Sequence, residues 1–377
     1  MRNDRVKRIR WQRRKHRRAI KRRNILRLRK ITQDMRLEQL GQILSNVPLT
    51  THPKAPRPTH TLSCPARLNL RDDFAETIDF MQRVREVAAI LRGKFRVDLR
   101  PLTDITAATA LMLVAEFDRW REFVPQDRLR AIDPEDWNPT VRKRLKDMGF
   151  FDLLKAHCGI EDGNLGDEER FLRFRSGHGS EGGQAKELRL SIEELGPKLR
   201  DWNALYDGLV EAMTNVKQHA YHSNARIRRW WMSASVNIKS GRLTVMFLDH
   251  GLSIPKTLPH SDLWETVRGW TLKVGASLTG LPLSDDAELI RAAMSVERSR
   301  TELDYRGNGL HDIQAYVESH NAYGRLRIIS GYGQYMYEKR PGLAGDVQVK
   351  SLPKPLRGTF IEWTIEEYAE ANGDDAN

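Results

Sequence analysis

The run RLTVMFLDHGLSIP, residues 242–255, constrains what this chain can fold into more than any other stretch. It is apolar almost without a break up to Asp249, has Gly251 two residues later, and closes on Ile254-Pro255. An apolar run bounded by turn residues reads as a buried strand, here one that delivers a carboxylate to its end. A carboxylate in that place accepts from an exocyclic amine, and a glycine beside it lets a ring approach the backbone. The expectation is a sheet with a ligand pocket at the end of this strand.

A second stretch supplies chemistry for such a pocket. In LYDGLVEAMTNVKQHAY, residues 205–221, Leu205, Leu209, Val210, Met213 and Val216 recur at helical spacing and predict an amphipathic helix. Glu211, Asn215 and His219 stand four apart and share one side of it. Carboxylate, amide and imidazole in a row offer a base, an oxygen ligand and a neutral polar partner, a set that suits a water and a hard cation such as Mg²⁺. The alternative is a polar face turned to solvent. Further on, RGNGLHDIQAYVE (306–318) sets Gly307 and Gly309 directly before an amphipathic helix, whose first backbone N–H groups would suit phosphate. GRLRIISGYG, YMYEKR and RGTFIEWTI alternate as strands, with Gly358-Thr359 opening the last. Trp230 and Trp231 read as strand residues in a core or interface.

A chain of 377 residues suffices for two ordinary domains. Cys64 and Cys158 are its only cysteines, too few for a disulfide framework or a cysteine-rich zinc site, so a reducing cytoplasm is the expected location. No apolar run is long enough to cross a bilayer, and the N-terminus lacks the apolar core of a signal peptide. The net charge of +13 is unevenly placed. Residues 1–36 hold 17 lysines and arginines against Asp4 and Asp34, a net +15, while the remainder sums to −2. Residues 1–46 are therefore expected to be a basic arm, disordered or helical, that orders on an anionic partner. Nucleic acid is the leading candidate through residues 1–36, because phosphate neutralisation gives affinity without sequence readout. An anionic membrane surface is the competitor. Pro48, Pro53, Pro56, Pro58 and Pro65 mark residues 47–68 as a semi-rigid linker.

Residues 69–165 alternate between strands and helices and predict a small α/β domain. ARLNL (66–70) and FRVDL (95–99) read as strands. Helices are expected over FAETIDFMQRVREVAAILRG, ending at Gly93, over DITAATALMLVAEFDRW (104–120), and over VRKRLKDMGFFDLL (141–154). This region resembles a STAS domain, the fold of anti-anti-sigma factors: PLTDITAATAL stands where that family has its D-S-S-G-L-G-A-L type turn, and MGFFDLL is similar to its closing L-x-x-x-G-F. Asp104 is kept, Ala107 replaces the glycine, and Thr106 falls near the family's phosphorylated hydroxyl. The resemblance makes Thr106 a candidate phosphoacceptor, with a capping or core threonine as the alternative. Residues 155–200 are a transition, with RFLRF (170–174) as a strand and SGHGSEGGQ (176–184) as a glycine-rich turn that lacks the Lys-Ser/Thr of a P-loop. A helix over AKELRLSIEELGPKLRDW, broken near Gly196-Pro197, follows.

Residues 166–377 carry the stronger likeness. From about 186 to 366 they resemble the GHKL ATPase domain of gyrase, the mismatch-repair ATPases, histidine kinases and anti-sigma kinases. Glu211 and Asn215 look like its N box, Asp249-His250-Gly251-Leu252-Ser253 like its D-x-G-x-G box, Gly307-Asn308-Gly309-Leu310 like its second glycine box, and Gly358-Thr359 like its closing G-T. EAMTNVKQHAY is closest to the anti-sigma kinase variety. The resemblance implies an α/β (α+β) two-layer sandwich with a mixed sheet that binds ATP and Mg²⁺. It implies that Asn215 ligates Mg²⁺, that Glu211 is the general base, and that Asp249 receives the adenine amino group beside Gly251. Gly307, Gly309 and Leu310 would hold phosphates under a lid over about 256–306. Arg306 would add a phosphate contact, Arg298 and Arg300 would lie on the solvated lid, and Thr359 would support the adenine contact. Ser253 departs from the pattern, replacing its second glycine. The function expected is an ATPase whose nucleotide state controls a partner: nucleic acid on the arm, a protein on the STAS-like domain, or a second copy in a homodimer. The alternatives are a serine/threonine protein kinase of the anti-sigma type and an ATP sensor without turnover.

Overall fold

In the computed structural model, residues 59–90, 94–121, 129–159, 168–180, 182–194, 201–221, 225, 227–261, 264–267, 269, 285–301, 309–320 and 322–366 are described. The basic arm, Gly93, Gly196-Pro197, Arg306 and Gly307 lie outside these residues. Pro58–Asn377 form one compact unit.

The N-terminal part opens with strand β1 (Thr59–Ser63), the two-residue strand β2 (Arg67–Leu68) and helix α1 (Phe74–Ile90). Strands β3 (Lys94–Asp98) and β4 (Asp104–Ile105), helix α2 (Ala107–Trp120) and strand β5 (Leu129–Ala131) follow. Strands β1, β3 and β5 form a parallel sheet in the order β1-β3-β5, and β2 pairs in parallel with β4. Residues 59–68, expected as the end of a linker, are thus strand and turn. The five prolines hid the THTLS run, which pairs with β3 over its whole length.

Helix α2 starts three residues later than expected, because Asp104-Ile105 pairs as a strand and Thr106 caps the helix. The Thr106 hydroxyl accepts from the Thr109 backbone N–H while the Thr109 hydroxyl reaches the Thr106 backbone, a reciprocal capping box. The Thr109 hydroxyl also bonds the Leu68 carbonyl at 2.7 Å. The single helix expected over 141–154 is two, α3 (Pro139–Met148) and α4 (Phe150–Leu154). They break at Gly149, whose φ of +92° is left-handed and terminates α3.

The second part contains strands β6 (Glu169–Phe171) and β7 (Arg175–Gly177), helix α5 (Gly182–Glu193) and helix α6 (Trp202–Asn215). A π-helical turn, Val216–Ala220, continues α6. Next come β8 (Trp230–Asn237), β9 (Arg242–Asp249), the short helix α7 (Ile254–Thr257), α8 (Asp286–Thr301), α9 (Gly309–Ser319), β10 (Tyr323–Lys339) and β11 (Asp346–Glu366). They build a six-stranded sheet in the order β10-β11-β9-β8-β6, with β7 also on β8. Every pairing in it is antiparallel. The chain therefore has the expected α/β class with both pairing modes, and the two modes fall in separate sheets.

Both faces of this sheet are covered. Val245, Phe247, Ile361 and Trp363 point to one side and pack with Leu205, Leu209 and Met213 of α6 and Ile313 of α9. Met246, Leu248, Trp231 and Phe360 alternate to the other side and join one core with Ile105, Leu111, Val114 and Phe117 of the N-terminal part. The two regions expected as separate domains thus share a core, with α1 against β11 and α2 against β8 and β9. This accounts for the composition of α2: it is buried on nearly all sides, so Glu116 and Asp118 are buried along with its apolar residues. The Asp118 carboxylate accepts from Trp231 Nε1 at 2.9 Å and from Arg229 at 3.0 Å, joining α2 to β8.

Because Trp231 is fully buried in the shared core, Trp231→Ala is expected to cost about 3–5 kcal/mol. Scanning calorimetry of the full chain should show one endotherm for the two parts, moved down by this substitution. Two endotherms, only one of them displaced, would contradict a common core.

Candidate functional site

Where β9 ends, the sequence bends sharply. Asp249 pairs with Thr359 of β11 on one side and with Trp230 of β8 on the other, and its side chain turns back to accept from the Gly251 N–H at 2.7 Å. The Thr359 backbone and hydroxyl also donate to it. The preceding residue, Gly358, has φ of +81°, and a Cβ there would run into the Asp249 carbonyl, so only glycine fits. Ser330 ties the edge together, its hydroxyl bonding the Gly358 carbonyl and the Thr359 hydroxyl and accepting from the Ile254 N–H.

Gly251 is explained by packing. A Cβ on it would collide with the Ala220 carbonyl, the same carbonyl that accepts from the Leu252 N–H. The π-helical turn after Asn215 brings that carbonyl onto the β9 turn. Such turns inside α-helices occur frequently at functional sites. Gly251 is not among the residues lining the adjoining cavity.

That cavity, of about 110 Å³, lies between the sheet, α6 and α7. Phe247, Ile361 and Ile313 give it an apolar wall, and Asn215, Asp249 and Thr359 are the sequence candidates that reach it. Positions 215, 249 and 359 are far apart in the chain and meet here. His219 lines it too, and α9 borders it through Ile313, four residues after the helix starts at Gly309. Glu211 is not in the lining; it adjoins it through Asn215, whose amide nitrogen donates to the Glu211 carboxylate at 2.8 Å. That bond leaves the Asn215 carbonyl oxygen as the donor for a hard cation. No group of three or more His, Cys, Asp or Glu that could hold a metal occurs among the described residues. The donor set thus fits Mg²⁺ held by one protein oxygen with other ligands from substrate and water. Thr257 and Ser261, which also line the cavity, were not anticipated, since their polar atoms carry no motif. Thr106, by contrast, is engaged in capping α2.

Burial dominates the electrostatics. Asp249 is only 4% exposed, and loss of hydration pushes its carboxyl up to about 7 against the hydrogen bonds from Gly251 and Thr359. Glu211 is also raised, first by burial and then by the charge of Asp312 in the first turn of α9. The two helices approach closely here, since a Cβ on Gly208 would lie 3.1 Å from the Asp312 carbonyl. A carboxylate raised above its usual range is a better proton acceptor than an ordinary one.

Comparison with family models, with curated proteins and with solved structures finds no match for this chain. No helix among the described residues is long and apolar enough to cross a membrane.

The elevated Asp249 has a consequence for stability. The folded protein keeps this proton at pH values where the unfolded chain releases it, so its contribution to stability falls as pH rises from about 4 to 7. At 1.36 kcal/mol per unit the loss is about 4 kcal/mol. Denaturant titrations of the wild type and Asp249→Asn across that range should therefore diverge, the wild type losing more; parallel curves would show that Asp249 titrates normally.

Proposed function

We propose that the cavity binds ATP with Mg²⁺ and that the protein is a GHKL-type ATPase whose nucleotide state regulates a partner. The observation that carries this reading is the convergence of Asn215, Asp249 and Thr359 on one apolar-walled cavity beside the start of α9. In this reading the adenine ring lies against Phe247, Ile361 and Ile313, and its amino group donates to Asp249, which Thr359 and Gly251 hold in place. The phosphates extend toward the start of α9, where Gly309 and Leu310 supply backbone N–H groups; Arg306 and Gly307, the other phosphate candidates, lie outside the described residues. The Asn215 carbonyl oxygen would hold Mg²⁺, which would supply charge neutralisation to the phosphates. Glu211, held by Asn215, takes the proton of the water that attacks the γ-phosphorus as the bond to the β–γ bridging oxygen breaks and ADP leaves. The partner is nucleic acid bound through residues 1–36.

Two substitutions separate the roles. Glu211→Gln should lower phosphate release about 10²–10⁴-fold while leaving ATP binding intact. Asp249→Asn should instead weaken ATP binding by about tenfold or more, since the amide presents a donor to the adenine amino group. Turnover surviving the first change would remove Glu211 as the base, and unchanged affinity in the second would remove Asp249 as the adenine acceptor. Label from γ-labelled ATP on protein, and not in free phosphate, would convert the reading to a kinase. For the partner, a chain lacking residues 1–36 should lose most of its salt-dependent affinity for nucleic acid, and equal binding by that chain would place the contact elsewhere.

A further inference from the structure

Between Asp249 and Gly251 stands His250, a residue the ATP reading leaves without a task. It is 5% exposed and points away from the cavity, into the layer contributed by residues 59–159. Its ring packs against Trp231 with the centroids 4.7 Å apart and the planes tilted by 44°, and its Nε2 lies 3.4 Å from the carboxylate of Glu116 on α2. The backbone is gripped as well: the His250 N–H donates to the Tyr221 hydroxyl at 3.1 Å, and its carbonyl accepts from Arg357 Nε at 3.3 Å. The Tyr221 hydroxyl in turn donates to the Arg229 carbonyl at 2.6 Å.

Glu116 is 1% exposed and ion-paired to Arg85 of α1, with Arg119 at 3.6 Å. Burial alone would raise its carboxyl, but the guanidinium groups of Arg85 and Arg119 outweigh it and hold the group at about 2. Burial, with the arginines around it, keeps the imidazole neutral. The contact is thus a 3.4 Å approach of a neutral imidazole edge to a permanent buried charge.

We infer that Glu116 is a positioning residue for the cavity: through His250 it fixes the turn that carries Asp249 and Gly251, so that displacement of α2 changes the adenine subsite. This rests on the ATP reading for its consequence, while the positioning itself is a property of the protein without ligand. The N-terminal α/β layer then acts on nucleotide affinity through one buried side chain. A partner that seats on that layer would be felt at Asp249 by a path of two side chains.

The test uses the full chain and two readouts. In hydrogen exchange without nucleotide, Glu116→Gln should speed exchange of the amides from Asp249 to Ser253 by about tenfold, with strands β10 and β11 unchanged. In titration with a fluorescent ATP analogue, the same variant should bind about tenfold more weakly. Glu116→Asp, which keeps the charge one methylene shorter, should recover part of both effects and serves in place of the amide if that variant does not fold. Asp79→Asn is the control: its ion pair with Lys354 joins the same two layers at 2.5 Å but away from the turn, and it should move neither readout. Exchange at the turn that stays at the wild-type rate in both Glu116 variants, or that rises equally in Asp79→Asn, overturns the inference. If the wild type binds no ATP analogue, the nucleotide reading fails, and the exchange data alone decide the role of Glu116.

Discussion

The six-stranded sheet is covered on both faces across β8, β9 and residues 358–365 of β11, and most of the structure follows from that. Successive residues of one strand serve two cores: Val245 and Phe247 meet α6 and α9, while Met246 and Leu248 meet the N-terminal layer. Polar side chains on these strands are then buried, and each needs a partner. Ser233 donates to the Leu172 carbonyl, Trp231 to Asp118, and Glu362 pairs with Arg325 and Arg327 on the neighbouring strand. Helix α2 bears the same burden: Asp118 is paired across the interface with Trp231 and Arg229, and Glu116 within its own layer with Arg85.

Three buried or half-buried carboxylates around the β9 end show how environment sets the charge. Glu116, Asp249 and Glu211 are each desolvated. Glu116 faces two guanidinium groups and is held at about 2. Asp249 faces only N–H and O–H donors, and burial wins, at about 7. Glu211 faces another carboxylate, so burial and repulsion act in the same direction. One layer thus holds a permanent charge, while beside the cavity two carboxyls are raised above their usual range.

Much of the second region was legible because its local chemistry is strict. The apolar run stopping at Asp249, the helix carrying Glu211 and Asn215, and the glycine before Thr359 each stand where expected. Gly251 was expected to accommodate a ring, and its closest neighbour is the Ala220 carbonyl. A π-helical turn leaves no pattern distinct from an α-helix over five residues, so that contact could not be read. The N-terminal region was less legible. Prolines concealed β1, and Gly149 divided a helix whose apolar spacing runs through it.

What the sequence determined by itself is periodicity and punctuation: which stretches are strands or helices, where glycine is needed, and which polar residues are candidates for chemistry. These depend on neighbours within a few positions, and such neighbours are present in the string. The tertiary structure decided that residues 58–377 make one unit, that Asn215, Asp249 and Thr359 share a cavity, and that Glu116 reaches His250 from another layer. Those contacts join residues separated by up to 144 positions along the chain. They are fixed by which apolar faces bury against each other, and a sheet face that reads as apolar does not say what covers it.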